Sequence, residues 1–184
     1  ETAVTTFNES ETETSGGDPA FVVLNAVESG QAVGQLQNDP SVALWLPEDA
    51  VWTDVLTDAG DNSFASDCVS VAQSPLVIGM WREVAEALGW PGLPLGWLDI
   101  GSLAADPAAW DYYSGGALGE SFKLGHTHPG LSGSGASTLL AVVQAAESKT
   151  EAVSVADIGQ PIVQASVGAF EGGVTWFSSS TQTL

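Results

Sequence analysis

The chain has 184 residues, with 23 acidic side chains against three basic ones, for a formal charge of −20; 44% of its residues are hydrophobic and 14% charged. That length supports one domain or two small lobes with a real core, and the apolar share separates the chain from a solvated polyelectrolyte. Three cations, Arg82, Lys123 and Lys149, do not neutralise a row of phosphates, so nucleic acid and anionic membrane surfaces are excluded as partners.

The acidic excess suits a protein kept soluble by self-repulsion outside cells or in high salt. A single cysteine, Cys68, excludes an intramolecular disulfide and a multi-cysteine metal cluster, and a lone thiol of this kind is expected to be a buried apolar filler. No stretch approaches the roughly 18 apolar residues of a membrane span, so no direct membrane insertion is expected. Glu1 opens the sequence with neither the basic start nor the apolar run of an export signal. A cytosolic protein, or a chain whose signal has been removed, is therefore expected.

In chain order, a short helix is expected around Val4 and Phe7, followed by the polar loop Glu9 to Gly17. Asn8-Glu9-Ser10 is a sequon, making Asn8 a candidate glycosylation site. Phe21-Val-Val-Leu24, Val42-Ala-Leu-Trp-Leu46 and Pro75-Leu-Val-Ile78 are continuous apolar runs, as expected for strands buried on both faces of a parallel sheet. Helices alternate with them: one from Ser29-Gly30 through Gln37, and one opened by Pro47-Glu48-Asp49 and closed at Gly60. A third carries Met80, Val84, Ala87 and Leu88 and stops at Gly89 and Pro91.

Trp97 to Ala105 reads as a further helix with Pro107 as its stop, and the stretch 110–116 as irregular. Phe122-Lys-Leu124 is a strand candidate that feeds the loop Gly125 to Gly135, and a long helix bearing Leu139, Leu140, Val143 and Ala146 follows. Ser154-Val-Ala-Asp157 carries the capping-box pattern of a helix running toward Phe170, with Pro161 expected to shift its start or kink it. Gly173 to Phe177 closes the alternation. Strands alternating with helices predict α/β layers around a largely parallel sheet.

In such sheets ligands gather at strand ends, where helix N-termini present unpaired amides. Glu28-Ser29-Gly30 and the stretch Thr127 to Gly135 fit that position. Small residues at Ser132, Gly133, Ser134 and Gly135 allow backbone to approach a ligand, and hydroxyls there could donate to an oxyanion or carboxylate; helix capping is the competing use of such serines. His126 and His128 are the only histidines. A closed zinc site needs more ligands than these two, so a hydrogen-bonding role is expected and no metal or cofactor. No Gly-x-Ser-x-Gly elbow is present and no histidine neighbours Cys68, so an enzyme is not expected. Of the seven tryptophans, Trp52, Trp81 and Trp97 fall on helical stripes and are expected in the core, whereas Trp45 beside Pro47 is expected to face a cleft.

The segments Ser74 to Trp90, Gly96 to Ile100 and Phe122 to Gly135 resemble extracellular solute-binding proteins of the type II periplasmic-binding fold, in the branch that often precedes a von Willebrand factor A domain. The resemblance covers roughly residues 20–180 and is most specific in its middle third. It implies two α/β lobes with mainly parallel sheets, incomplete at both ends. Residues 1–78 would be part of the first lobe without its first strand and helix, and 79–184 the second lobe without its return crossing. Ser29, Gly30, Trp45, Ser74 and Pro75 would line the first lobe's side of the cleft, and Thr127, His128, Ser132 and Ser134 the second's.

The function implied is a non-enzymatic extracellular or cell-surface module that traps a small polar or anionic ligand, coupled to an ABC transporter or a surface receptor. A structural or adhesive surface subunit that uses the same fold for assembly is the alternative. The Asp-x-Ser-x-Ser metal motif of the A domain is absent.

Overall fold

The computed structural model describes residues 2–38, 41–61, 63–64 and 68–184. It is a mixed α/β chain dominated by helices, with one sheet of two parallel strands among the described residues. Several helix starts have a local signal in the sequence. Helix α1 covers Thr2–Glu9 and α2 covers Ser29–Leu36. In α2 the spacing of Ala32, Val33 and Leu36 puts three apolar side chains on one face. That face is buried against Trp52 and Leu56 of α3 (Val51–Asp58). The Asp49 carboxylate accepts from the Val51 amide at 2.9 Å, and Gly60, at φ +94°, supplies the left-handed turn after the helix.

Helix α4 (Arg82–Ala87) precedes α5 (Trp97–Ala105), whose bounds match the sequence reading. Pro107, expected as a stop, instead opens α6 (Pro107–Ser114), so the supposedly irregular stretch is helical through Ser114. The reason is that proline is as well suited to a first helical position as to the end of the preceding helix. Asp106 caps the new helix by accepting from the Ala108 amide at 2.9 Å. Strand β1 (Leu124–Thr127) leads into α7 (Gly133–Glu147), then α8 (Val155–Ile158), α9 (Pro161–Gly172) and β2 (Val174–Ser178), which returns parallel to β1. Ser154 and Asp157 form the expected reciprocal cap. Pro161 resolves as the first residue of a separate helix rather than a kink. A 3-10 turn over Thr181–Thr183 ends the chain.

The main core lies where α5, α7 and α9 cover the sheet. Ile100 and Phe170 are fully buried, Val142 nearly so, and Leu124 and Val174 of the two strands pack onto them. Trp97 meets Phe170 edge-on at 6.2 Å. A second cluster joins Leu88, Leu103 and Trp110, with Trp110 edge-on to Phe122 at 5.3 Å.

The structure departs from the sequence reading at three apolar runs. Residues 21–24, 42–46 and 75–78 carry no ladder, and Phe21 (72% exposed), Leu44 (74%) and Val77 (71%) face solvent instead of lying in a sheet interior. Pairing of parallel strands depends on partners distant in sequence, so an apolar run alone does not determine it. Trp81 is exposed rather than core, and the Cys68 thiol is free and exposed rather than buried. On α7 the buried face is set by Thr138, Val142 and Val143 rather than by Leu140, which is exposed.

Candidate functional site

The first helix after the polar N-terminal region and the longest helix of the chain meet start to start. The Gly30 amide at the head of α2 donates to the Leu131 carbonyl just before α7, at 2.9 Å. Only glycine permits this approach, because a Cβ on Gly30 would lie 2.5 Å from the Gly130 carbonyl oxygen. The buried Ser29 hydroxyl accepts from the Glu48 amide at 2.9 Å and donates to Glu48 Oε2 at 3.3 Å. The same Oε2 accepts from the Gly133 amide, the first residue of α7, at 2.6 Å. A carboxylate thus sits on the positive end of a 15-residue helix, where an anion is favoured by both the free amides and the helix dipole.

Beside it runs a set of hydroxyls. Thr127 Oγ1 and Ser134 Oγ are 2.8 Å apart, Ser134 and Thr181 2.9 Å, and the fully buried Ser132 lies 3.1 Å from Ser134. The C-terminal turn is drawn in from both sides. The Thr181 amide donates to Glu28 Oε1 at 3.0 Å, and the His128 amide donates to the Ser178 carbonyl at 2.8 Å. The other Glu28 oxygen is buried without a hydrogen-bond partner.

Of the residues singled out from sequence, Ser29, Gly30, Thr127, Ser132 and Ser134 come together here. Thr127, Ser132 and Ser134 contact one another, whereas Ser29 and Gly30 reach the head of α7 through Glu48 and the Leu131 carbonyl. Trp45 does not join them: its ring packs edge-on against Phe64 at 5.8 Å, on the core shared by α2 and α3. Ser74 and Pro75 are exposed on a segment outside any helix or strand, and among the described residues neither hydrogen-bonds to this cluster. The exposed His128 folds back on its own loop, its Nδ1 accepting from the Gly130 amide at 3.1 Å. The Asn8 amide is occupied on both sides by Val22, accepting from its amide and donating to its carbonyl at 2.8 Å each.

Sequence reasoning placed Glu28 at the turn with Ser29 and Gly30 but gave it no role of its own, and it missed Thr181 and the part Glu48 plays here. Glu48 carried a signal, an acidic residue after Pro47, but it pointed to the start of its own helix rather than to one 85 residues away. Nearby, the buried His126 ring lies against Phe170 and Phe177, with Nδ1 2.8 Å from the Thr127 carbonyl and Nε2 2.9 Å from Glu171 Oε1. A carbonyl only accepts, so Nδ1 is the donor in its contact with Thr127. Among the described residues no hydrogen bond joins a histidine nitrogen to the hydroxyl set. Among the described residues no group of three or more His, Cys, Asp or Glu is placed to hold a metal, and no helix is long and apolar enough to cross a membrane.

Comparison with protein-family models, with curated proteins and with solved structures returned no match.

Proposed function

We propose that the junction of α2 and α7 is the seat of a small anionic or polar ligand in a non-enzymatic binding module. One observation carries the reading: the Gly133 amide and the Ser29 hydroxyl already hold a carboxylate, that of Glu48, at 2.6 and 3.3 Å. A seat that accepts an internal carboxylate has the donors to accept an external one, provided Glu48 swings aside. The two-lobed solute-binding architecture implied by the sequence resemblance would supply that opening, by parting the segment bearing Ser29 and Glu48 from the segment bearing Ser132 to Ser134. An extracellular setting agrees with the acidic composition.

Titration calorimetry of the native chain and of Glu48→Gln against acetate, sulfate and phosphate tests the reading. Removing the competing charge should tighten binding of at least one anion about tenfold or more, and Ser29→Ala in the same background should weaken it again. Absence of binding to both the native chain and Glu48→Gln, with each folded, overturns the proposal.

The exposed apolar residues Phe21, Val23, Leu44, Val69 and Val77 favour a second reading, a structural or adhesive subunit that assembles through these segments. Light scattering across a wide concentration range separates the two: a monomer throughout removes the second reading.

A further inference from the structure

We propose that the turn formed by residues 178–183 is a strap across the junction of α2 and α7, and that it gates the exchange of Glu48 for a free anion. The inference rests on the reading of that junction as a ligand seat and adds its regulation.

Thr181 touches both sides of the seat. Its hydroxyl lies 2.9 Å from Ser134 Oγ and 3.4 Å from Ser132 Oγ, the residues on either side of Gly133, whose amide holds the Glu48 carboxylate. Its own amide donates to Oε1 of Glu28, the residue before Ser29, at 3.0 Å. A second, longer contact reaches the same helix, from Gln31 Nε2 to the Ser179 carbonyl at 3.4 Å. Parting the segment that bears Ser29 from the segment that bears Ser132 to Ser134 therefore breaks the contacts of Thr181 on at least one side.

The turn is built to lift as a unit. Its pivot is the buried Ser178, whose carbonyl accepts from the His128 amide at 2.8 Å where β2 ends beside β1. Beyond the pivot, the hydroxyls of Ser180 and Thr183 are 3.0 Å apart, and the Thr183 amide donates to the Ser180 carbonyl at 3.2 Å. The 3-10 turn thus has bonds of its own that do not depend on the junction. Ser179 and Thr181 to Leu184 are exposed, and polar contacts at an exposed turn are of the kind that open at low free energy. Closure also leaves Glu28 half satisfied: one carboxylate oxygen takes the Thr181 amide, while the other is buried with no hydrogen-bond partner among the described residues. The desolvation of that second oxygen offsets part of what the closed strap gains.

Two variants loosen the strap from opposite sides. Thr181→Val removes the hydroxyl contacts to α7, and Glu28→Ala removes the acceptor of the Thr181 amide. Each is read by hydrogen exchange at a junction amide on the helix it does not alter, Gly30 for Thr181→Val and Gly133 for Glu28→Ala. Exchange there should quicken about tenfold or more, the weight of one lost hydrogen bond, while the His128 amide at the pivot keeps its native rate. In the Glu48→Gln background, both changes should raise the association and dissociation rates of acetate, sulfate or phosphate together, by about tenfold in NMR line shapes, as a gate requires and a mere ligand contact does not. Native exchange at both amides, quickening that includes His128, unchanged ligand rates, or faster dissociation alone overturns the gate and leaves the anion reading standing. Absence of anion binding by Glu48→Gln itself overturns that reading, and the gate with it.

Discussion

A few side chains hold the two helix starts together, and each has a measurable weight. Ser29 is 3% exposed, and its replacement by alanine leaves the Glu48 amide without its acceptor. A loss of about 1–3 kcal/mol is expected in chemical denaturation. The glycines on either side are steric requirements. A Cβ on Gly135 would collide with the Thr127 carbonyl oxygen and lie 2.9 Å from the His128 carbonyl carbon. Gly135→Ala should therefore cost about 1–3 kcal/mol through overpacking. Gly34, exposed in α2 with nothing within 4 Å of its would-be Cβ, is the control: Gly34→Ala should stabilise by about 0.5–1 kcal/mol through helix propensity. If the two glycine variants behave alike, the close approach is not real.

Asp157 supplies the pH dependence at this scale. Its carboxylate accepts from Lys149 Nζ at 2.6 Å and from the Ser154 amide and hydroxyl, which together hold its pKa down from the ordinary 3.8 to about 2. A pKa depressed by folding contributes stability above the unfolded value, and that contribution fades as pH falls from about 4 toward 2. The Tm gap between the native chain and Asp157→Asn should accordingly be constant at neutral pH and close over that acid range. A gap unchanged down to pH 2 would show that the cap and ion pair contribute through something other than the charge.

Among the elements, chemical punctuation made most helices legible, Pro107 being misread as a stop, while of the apolar runs read as strands only those near 122–124 and 173–177 acquired a partner. Helix α5 and the start of α8 arise from local signals, a glycine turn before an apolar stripe and the Ser154 to Asp157 reciprocal cap. Segments 21–24, 42–46 and 75–78 had the composition of strands, but their partners are set by tertiary geometry, and the structure leaves them without a ladder. The site shows the same split. Ser29 to Gly30 and Ser132 to Ser134 were readable because small residues mark close backbone approach. Glu48 was not, since nothing local reveals which helix end a carboxylate serves. The helix layer over the sheet should be the most stable unit. Phe170 is fully buried on α9 between Trp97, Ile100 and His126, and Phe170→Ala should cost about 3–5 kcal/mol.

For the whole molecule the dominant fact is charge. Twenty uncompensated negative charges repel one another most in the compact state, and screening shortens their reach from ~30 Å at 0.01 M salt to ~3 Å at 1 M. The thermal midpoint should climb by several degrees between those salt concentrations, and a flat profile would mean that counter-ions already neutralise the surface at low salt.

The stitching of Gly30 to Leu131 and of Glu48 to Gly133 also bears on how the chain comes apart. Residues 68–77, which lie in sequence between the two sides of these stitches, are exposed and belong to no helix or strand, with Val69 83% and Val71 74% exposed. A protease that nicks this stretch severs the covalent path but not the clasp. The two fragments should co-migrate under native conditions and part only in denaturant.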